Sequence, residues 1–230
     1  MRILFFSLII VYSLPVNSQT KSDLGLISGV SYYMGDINPK IPFYSPNISA
    51  GATYRYNLNT RYVIKGELNY CVLSANDKEF SDPYQQQRDA SFIAKLYDFA
   101  LQFEFNFLPL KFVERKVYFS PFVSSGLGAS FVMNSASYDK TIRLVLPAAI
   151  GVRFAIGKKW STGVQWNFRN TFRDNLDASA KFPNGVVNPI APGYGSAINN
   201  NDWYMFAGFF LTYKVFDFGD QCPAYQKDLK

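Results

Sequence analysis

A strict alternation of apolar and polar side chains constrains the fold of this chain more than any other feature of its sequence. Between residues 97 and 107 every odd position carries a large apolar side chain, and every even position carries a polar or small one. Comparable alternation returns over residues 62–72, 160–172 and 203–215. Successive side chains of a β-strand point to opposite faces of a sheet, so these stretches predict strands with one apolar and one polar face.

The alternation and the turn residues between the runs predict about eight strands. We place them at roughly residues 23–34, 48–57, 61–73, 93–107, 116–132, 141–156, 159–173 and 202–216. Most exceed the usual length of about 5–6 residues, and they reach the ~9–11 residues that a tilted membrane-spanning strand needs. Short connections alternate with long ones, as in barrels with short periplasmic turns and long extracellular loops. The predicted fold class is therefore all-β, an antiparallel transmembrane β-barrel.

A soluble β-sandwich or a lipocalin-like barrel is the competing interpretation. Those folds alternate as well, but their apolar face is the inner one, and alternation alone does not distinguish the two arrangements. Strand length, the regular change between short and long connections, and aromatic residues near strand ends favour the membrane barrel.

The N-terminal residues have the composition of an export signal. Arg2 precedes an almost unbroken apolar run from Ile3 to Val16, and small residues precede a cleavage point after Ser18. The run is short for a membrane span, which favours a cleaved signal peptide. The predicted organisation is a signal peptide at 1–18, an outer-membrane barrel at 19–216 and a periplasmic tail at 217–230. An even number of strands places both termini in the periplasm, where Gln19 to Asp23 would form part of the exposed face.

The composition excludes several classes of chemistry. The chain has no histidine, so it offers no Ser-His-Asp or Cys-His machinery and no His-ligated metal. Its two cysteines are too few for a Cys-only zinc site. The net charge of +6 is mild, and an exported chain would not meet nucleic acid. We expect no enzymatic activity, no cofactor, no metal and no small-molecule substrate, with membrane lipids around the barrel.

The polar faces of the strands predict what fills the barrel. If the apolar faces contact lipid, the charged residues point inward, and an eight-stranded barrel has room only for its own side chains. Buried charges without partners are costly, so we predict a structural network of ion pairs that plugs the lumen. Its members are Lys65, Glu67, Asp98, Glu104, Arg143, Arg153, Arg169 and Arg173. A selective pore for small solutes is the alternative.

Four segments together resemble a family of small outer-membrane barrels. The segments are Tyr32-Tyr33-Met34-Gly35-Asp36, Trp166 to Asp177, Asn200 to Tyr204 and Cys222-Pro223-Ala224-Tyr225. Their order and spacing are similar to the Bacteroidetes family that includes PorG, a component of the type IX secretion system.

The resemblance implies a non-enzymatic role in protein export, and in some species in gliding motility, next to a periplasmic ring of PorK and PorN. Candidate contacts with such a partner are Cys222, Tyr225, Lys158 and Lys159. A stand-alone surface barrel that uses its long outer loops for adhesion or defence is the alternative function.

Overall fold

The alternating stretches form strands in a computed structural model of the chain. The structure describes residues 21–35, 37–38, 41–81, 85–86, 91–110, 117–134, 141–172 and 202–216. The eight strands are β1 (Lys21–Met34), β2 (Asn47–Asn57), β3 (Tyr62–Asn76), β4 (Ser91–Asn106), β5 (Val117–Asn134), β6 (Thr141–Ile156), β7 (Trp160–Thr171) and β8 (Trp203–Phe216). A short 3-10 helix spans Asp77–Glu79. The described residues contain no helix with the length and hydropathy of a transmembrane helix.

The strands close into an antiparallel barrel in chain order, which confirms the predicted fold class. Each strand pairs with its neighbours in sequence, and β1 closes the barrel on β8 from Ser22 opposite Phe216 to Met34 opposite Trp203. A register shift between Ser22 and Asp23 interrupts this last ladder. Closure leaves no strand edge unpaired, which is how barrels avoid edge-to-edge association.

The connections divide the barrel into two ends. One end, which we call the turn end, holds the β2–β3, β4–β5 and β6–β7 connections. The opposite end, which we call the loop end, holds the longer β1–β2, β3–β4 and β7–β8 connections together with β5–β6. The β6–β7 turn is the tightest, and Gly157 adopts a left-handed φ of 64° in it. Glycine accepts that conformation without the penalty that a Cβ atom would bring.

The outer wall of the barrel is apolar. Outward-facing side chains on different sides of the wall are largely exposed, among them Leu26 at 72%, Ile48 at 77% and Leu127 at 71%. An exposed apolar area that runs around a whole protein suits contact with lipid and not with water. Aromatic residues mark both borders of this wall, with Tyr62 and Trp160 near the turn end and Tyr97 and Trp203 near the loop end. Such borders are typical of membrane–water interfaces.

Asp23 does not lie where we predicted. We expected it on the exposed periplasmic face, but it belongs to β1 and is buried in the barrel. The strand begins earlier than the apolar alternation suggested, and Asp23 turns inward to meet a cation across the lumen.

Candidate functional site

The centre of the lumen holds a lysine shared between two carboxylates. The Lys65 ammonium nitrogen lies 3.2 Å from Glu67 Oε1 and 3.6 Å from Glu104 Oε2. Arg55 contributes a second cation to Glu104, with Nε 3.4 Å from Oε2. All four side chains are completely buried, so water does not screen these attractions as it would at a surface. The arrangement neutralises each charge inside the barrel.

Glu67 links this centre to a second group toward the loop end. Arg169 donates from Nη2 to Glu67 Oε2 at 3.1 Å and from Nε to Asp98 Oδ1 at 3.2 Å. The Tyr204 hydroxyl donates to the other Asp98 oxygen at 2.7 Å. Gln102 and Gln165 each donate to Glu67 at 3.0 Å. A buried polar group is tolerated when its hydrogen bonds are made, and Glu67 and Asp98 both meet that condition.

A third ion pair lies nearest the turn end. Arg153 Nη2 donates to Asp23 Oδ2, and Arg153 Nε donates to the Ser161 hydroxyl at 2.9 Å. Asn57 also donates to Asp23 Oδ2, at 3.1 Å. The described network thus balances four cations against four carboxylates: Arg55, Lys65, Arg153 and Arg169 against Asp23, Glu67, Asp98 and Glu104.

The structure brings together six of the eight residues in the predicted network: Lys65, Glu67, Asp98, Glu104, Arg153 and Arg169. Arg143 is buried on β6 near the loop end, and Arg173 lies outside the described residues.

Sequence reasoning missed two members, Arg55 and Asp23. Arg55 could have been found, because it stands between the outward-facing Tyr54 and Tyr56 and so belongs to the inner face.

Two aromatic rings fill the lumen between the ion pairs at its turn-side half. Phe122 and Phe210 point inward and are almost completely buried, with ring centroids 6.2 Å apart. The Arg55 guanidinium lies 4.4 Å from the centre of the Phe210 ring. A cation over an aromatic face gains electrostatic stabilisation from the ring, so these rings also serve the charge network.

An apolar cluster fills part of the loop-side half of the lumen. We call this cluster the apolar cap; it consists of Tyr33, Ile37, Cys71, Leu73, Ala75, Phe92, Ala94, Leu96, Val132, Val145, Tyr204 and Phe206. Ile37 belongs to the β1–β2 connection and packs into the cluster at the loop end of the barrel. Tyr44 and Phe80 pack against the cluster. The Asn38 side chain holds this connection in place by donating to Tyr33 O at 2.9 Å and to Ile41 O at 2.7 Å.

Three of the four segments that carry the family resemblance meet at the loop end of the barrel. The Tyr33 hydroxyl donates to Asp202 Oδ1 at 2.7 Å, and the Thr171 amide donates to Asp202 O at 3.0 Å. On the outer wall, Trp166 Nε1 donates to the Tyr32 hydroxyl at 2.9 Å. These bonds fasten the strand ends at which the long β7–β8 connection begins and returns. The fourth segment, around Cys222, lies outside the described residues.

Two of the four candidate partner contacts lie among the described residues. Lys158 and Lys159 are exposed in the β6–β7 turn, at the turn end. Cys222 and Tyr225 fall in the undescribed stretch after residue 216. Within the described residues, no three His, Cys, Asp or Glu side chains are grouped so that they could hold a metal ion.

The sequence matches, over residues 1–227, the family described as "Domain of unknown function (DUF6089)". The chain belongs to the DUF6089 family. No protein of curated function matches it in sequence. The barrel of this DUF6089 member is similar to those of several solved small outer-membrane proteins.

One is the N-terminal β-barrel domain of Pseudomonas aeruginosa OprF, with 11% identity, a TM-score of 0.45, and 85% of this chain and 98% of that chain covered. Another is Neisserial surface protein A, with 9% identity, a TM-score of 0.49, and coverage of 83% and 95%. A third is the outer membrane protein OprG of Pseudomonas aeruginosa, with 8% identity, a TM-score of 0.45, and coverage of 86% and 99%. The assignment of this DUF6089 chain as a closed barrel rests on its own strand pairing.

Proposed function

We propose that this chain is a non-enzymatic outer-membrane barrel that serves as a membrane anchor for other proteins and does not conduct solutes. The filled lumen carries the proposal. The buried ion pairs and the apolar cap follow one another along the lumen, and the described side chains that face inward are largely buried. A path for ions would have to cross both regions.

Planar-bilayer recording of the purified protein tests this proposal. We expect no stable single-channel steps, because ions would meet the buried pairs around Glu67 and then the apolar cap. Reproducible steps of constant size, seen in preparations whose heat-modifiable mobility on gels shows a folded barrel, would contradict a sealed lumen and restore the solute-pore interpretation.

The more specific proposal is a role in the type IX secretion system, with PorK-like and PorN-like ring proteins of the periplasm as partners. The resemblance of the four sequence segments supports it, as does the meeting of three of them at one mouth of the barrel. In this proposal residues 1–18 are a cleaved signal peptide, the termini and turn end face the periplasm, and the ring contacts Lys158 and the tail at 217–230 with Cys222 and Tyr225.

Co-purification from detergent-solubilised membranes tests the secretion role. A chain truncated after Phe216 keeps all eight strands, so we expect a folded barrel that loses most of its ring components. The matched control replaces residues 183–199 of the β7–β8 connection with a short Gly-Ser linker, which alters the opposite end. Undiminished ring recovery with the truncated chain would count against contact through the tail.

The second candidate is a surface barrel for adhesion or defence. The observation in its favour is the β7–β8 connection, which runs from 172 to 202 and is rich in Gly, Pro and Asn. The same two variants separate the candidates. Loss of cell attachment with the loop replacement, combined with no ring components in any pull-down, would favour the surface role.

A further inference from the structure

Exposed charges differ between the two ends of the barrel. Among the described residues, the charged side chains that are exposed at the turn end are all basic, namely Arg61, Lys158 and Lys159. At the loop end both signs occur, with Lys78 and Lys95 beside Glu79. A one-sided basic rim at the border of an apolar wall attracts anionic groups that lie at the same height.

Lys159 stands at that border in a fixed position. It ends the tight β6–β7 turn, and its carbonyl accepts a hydrogen bond of 2.8 Å from the Lys214 amide on β8. Its ammonium nitrogen lies 5.9 Å from the centre of the Tyr213 ring. The side chain therefore leans over the outer wall, although its backbone belongs to the turn.

The neighbours of Lys159 are interfacial aromatic residues. Trp160 and Tyr213 pair across β7 and β8, and their rings meet edge to face with centroids 4.8 Å apart. Trp160 remains 47% exposed on the lipid-facing side. Indole and phenol rings settle at the level of lipid headgroups, and a lysine beside them extends its ammonium to the phosphate layer.

We propose that Lys159, Trp160 and Tyr213 form a binding site for the phosphate of an anionic glycerophospholipid. The ammonium pairs with the phosphate, while the two rings pack against the glycerol backbone and the upper acyl chain. The leaflet that adjoins the turn end is the one that supplies this lipid, so the inference rests on the proposed orientation of the barrel in the outer membrane. The proposed lipid site includes Lys159 and not Lys158, because the backbone of Lys158 lies at the tip of the turn.

Native mass spectrometry of the purified full chain tests the site without any partner protein. The chain is released from micelles that contain equal amounts of phosphatidylglycerol and phosphatidylcholine, and the retained lipids are counted. We expect about fivefold preferential retention of phosphatidylglycerol, the factor that one lysine contributes near an anionic surface. Lys159→Ala should lose this preference, and Lys159→Arg should keep it.

Lys95→Ala is the matched control, because Lys95 is an exposed lysine on the outer wall near the opposite rim. Equal loss in Lys95→Ala and Lys159→Ala would overturn the site in favour of general charge attraction. Unchanged preference in Lys159→Ala would overturn it as well. Displacement of the lipid preference by inorganic phosphate would assign the site to a free anion and sink the lipid proposal.

A last outcome concerns an acidic protein partner. If Lys159→Ala weakened ring co-purification while phosphatidylglycerol retention stayed the same, Lys159 would be a protein contact and the lipid site would be refuted. Conversely, failure of every pull-down leaves the lipid measurement untouched, so the two proposals fail independently.

Discussion

The two halves of β3 and β4 use opposite rules for what faces inward. Near the turn end, Lys65 and Glu67 face the lumen while Ile64 and Leu68 face out. Near the loop end, Leu73 and Ala75 face the lumen while Ser74 and Asn76 face out. In β4, the inward side changes likewise from Glu104 and Asp98 to Leu96, Ala94 and Phe92.

The inversion is the pattern expected where the solvent outside a barrel wall changes from lipid to water. Where the wall contacts lipid, apolar side chains face out and the interior can be polar. Where strands extend past the lipid into water, the hydrophobic effect acts inward and builds an ordinary buried core, and the loop-side parts of β3 and β4 have that pattern inside the barrel. One barrel thus combines a segment with a polar interior and an apolar outside with a small cap whose interior is packed like the core of a soluble protein.

The largest effect should come from the residue that joins the two halves. Arg169→Ala removes a fully buried cation and leaves Asp98 without its ion pair and Glu67 with one cation fewer. We expect a loss of about 3–5 kcal/mol in the free energy of unfolding, because an uncompensated buried charge is costly. Urea unfolding in lipid vesicles measures it, with Lys95→Ala as an exposed control that should change little.

The apolar cap predicts a contrast within a single strand. Leu73→Ala should cost about 2–5 kcal/mol, since Leu73 is fully buried and its removal leaves a cavity. Leu68→Ala, on the outward face of the same strand and 55% exposed, leaves a space that lipid can fill. Its cost in the same unfolding assay should be clearly smaller. Equal costs would mean that the cap is not packed as a core.

Within the charge network, Lys65 should matter less than Arg169. After Lys65→Met, Glu67 keeps Arg169 and Glu104 keeps Arg55, so neither carboxylate is stranded. We expect a loss of about 1.5–3 kcal/mol, the range for hydrogen bonds to charged groups. A larger loss than in Arg169→Ala would show that Lys65 and not Arg169 is the central cation.

The smallest expected effect is a pH response of the loop that covers the cap. Burial raises the pKa of Tyr44 from 10.0 to about 12, and its hydroxyl donates to Asn76 O at 3.1 Å. Since folding favours the neutral phenol, the stability that Tyr44 contributes is complete below pH 10 and is lost as the pH rises toward 12. Near-ultraviolet circular dichroism should show a transition in this window that Tyr44→Phe lacks. An identical transition in both proteins would assign it to other groups.

Most of the wall could be predicted from the sequence, and the interior only in part. Alternation depends on neighbours along one strand, so it located all eight strands within three residues of their observed ends. Alternation also placed Lys65 of β3 and Glu104 of β4 on the polar, inward-facing side of the wall. Which charge meets which depends on the register between strands far apart in the chain, such as Glu67 with Arg169, and no local pattern contains it.

The apolar cap was not predicted for a related reason. The predicted alternation in β4 begins at Tyr97, so it does not include Phe92, Ala94 and Leu96, which lie on the same strand. The boundary is visible in the sequence as a change of phase at Tyr97. Before this residue the inward-facing side chains of β4 are apolar, and from this residue onward the large apolar side chains face outward. The phase change, and not the alternation itself, marks the boundary between the charge network and the apolar cap on this strand.

The pairing of β1 with β8 also determines when the barrel can fold and which truncations it tolerates. Its partners are residues 22–34 and 203–216, almost the full described length apart, so the barrel cannot close until the last strand has emerged. Contacts between such distant segments fold slowly, because a long loop must be closed before they are made. Until then both end strands keep open edges that invite aggregation. We therefore expect a truncation that removes part of β8 to yield aggregate, whereas one that stops after Phe216 should not.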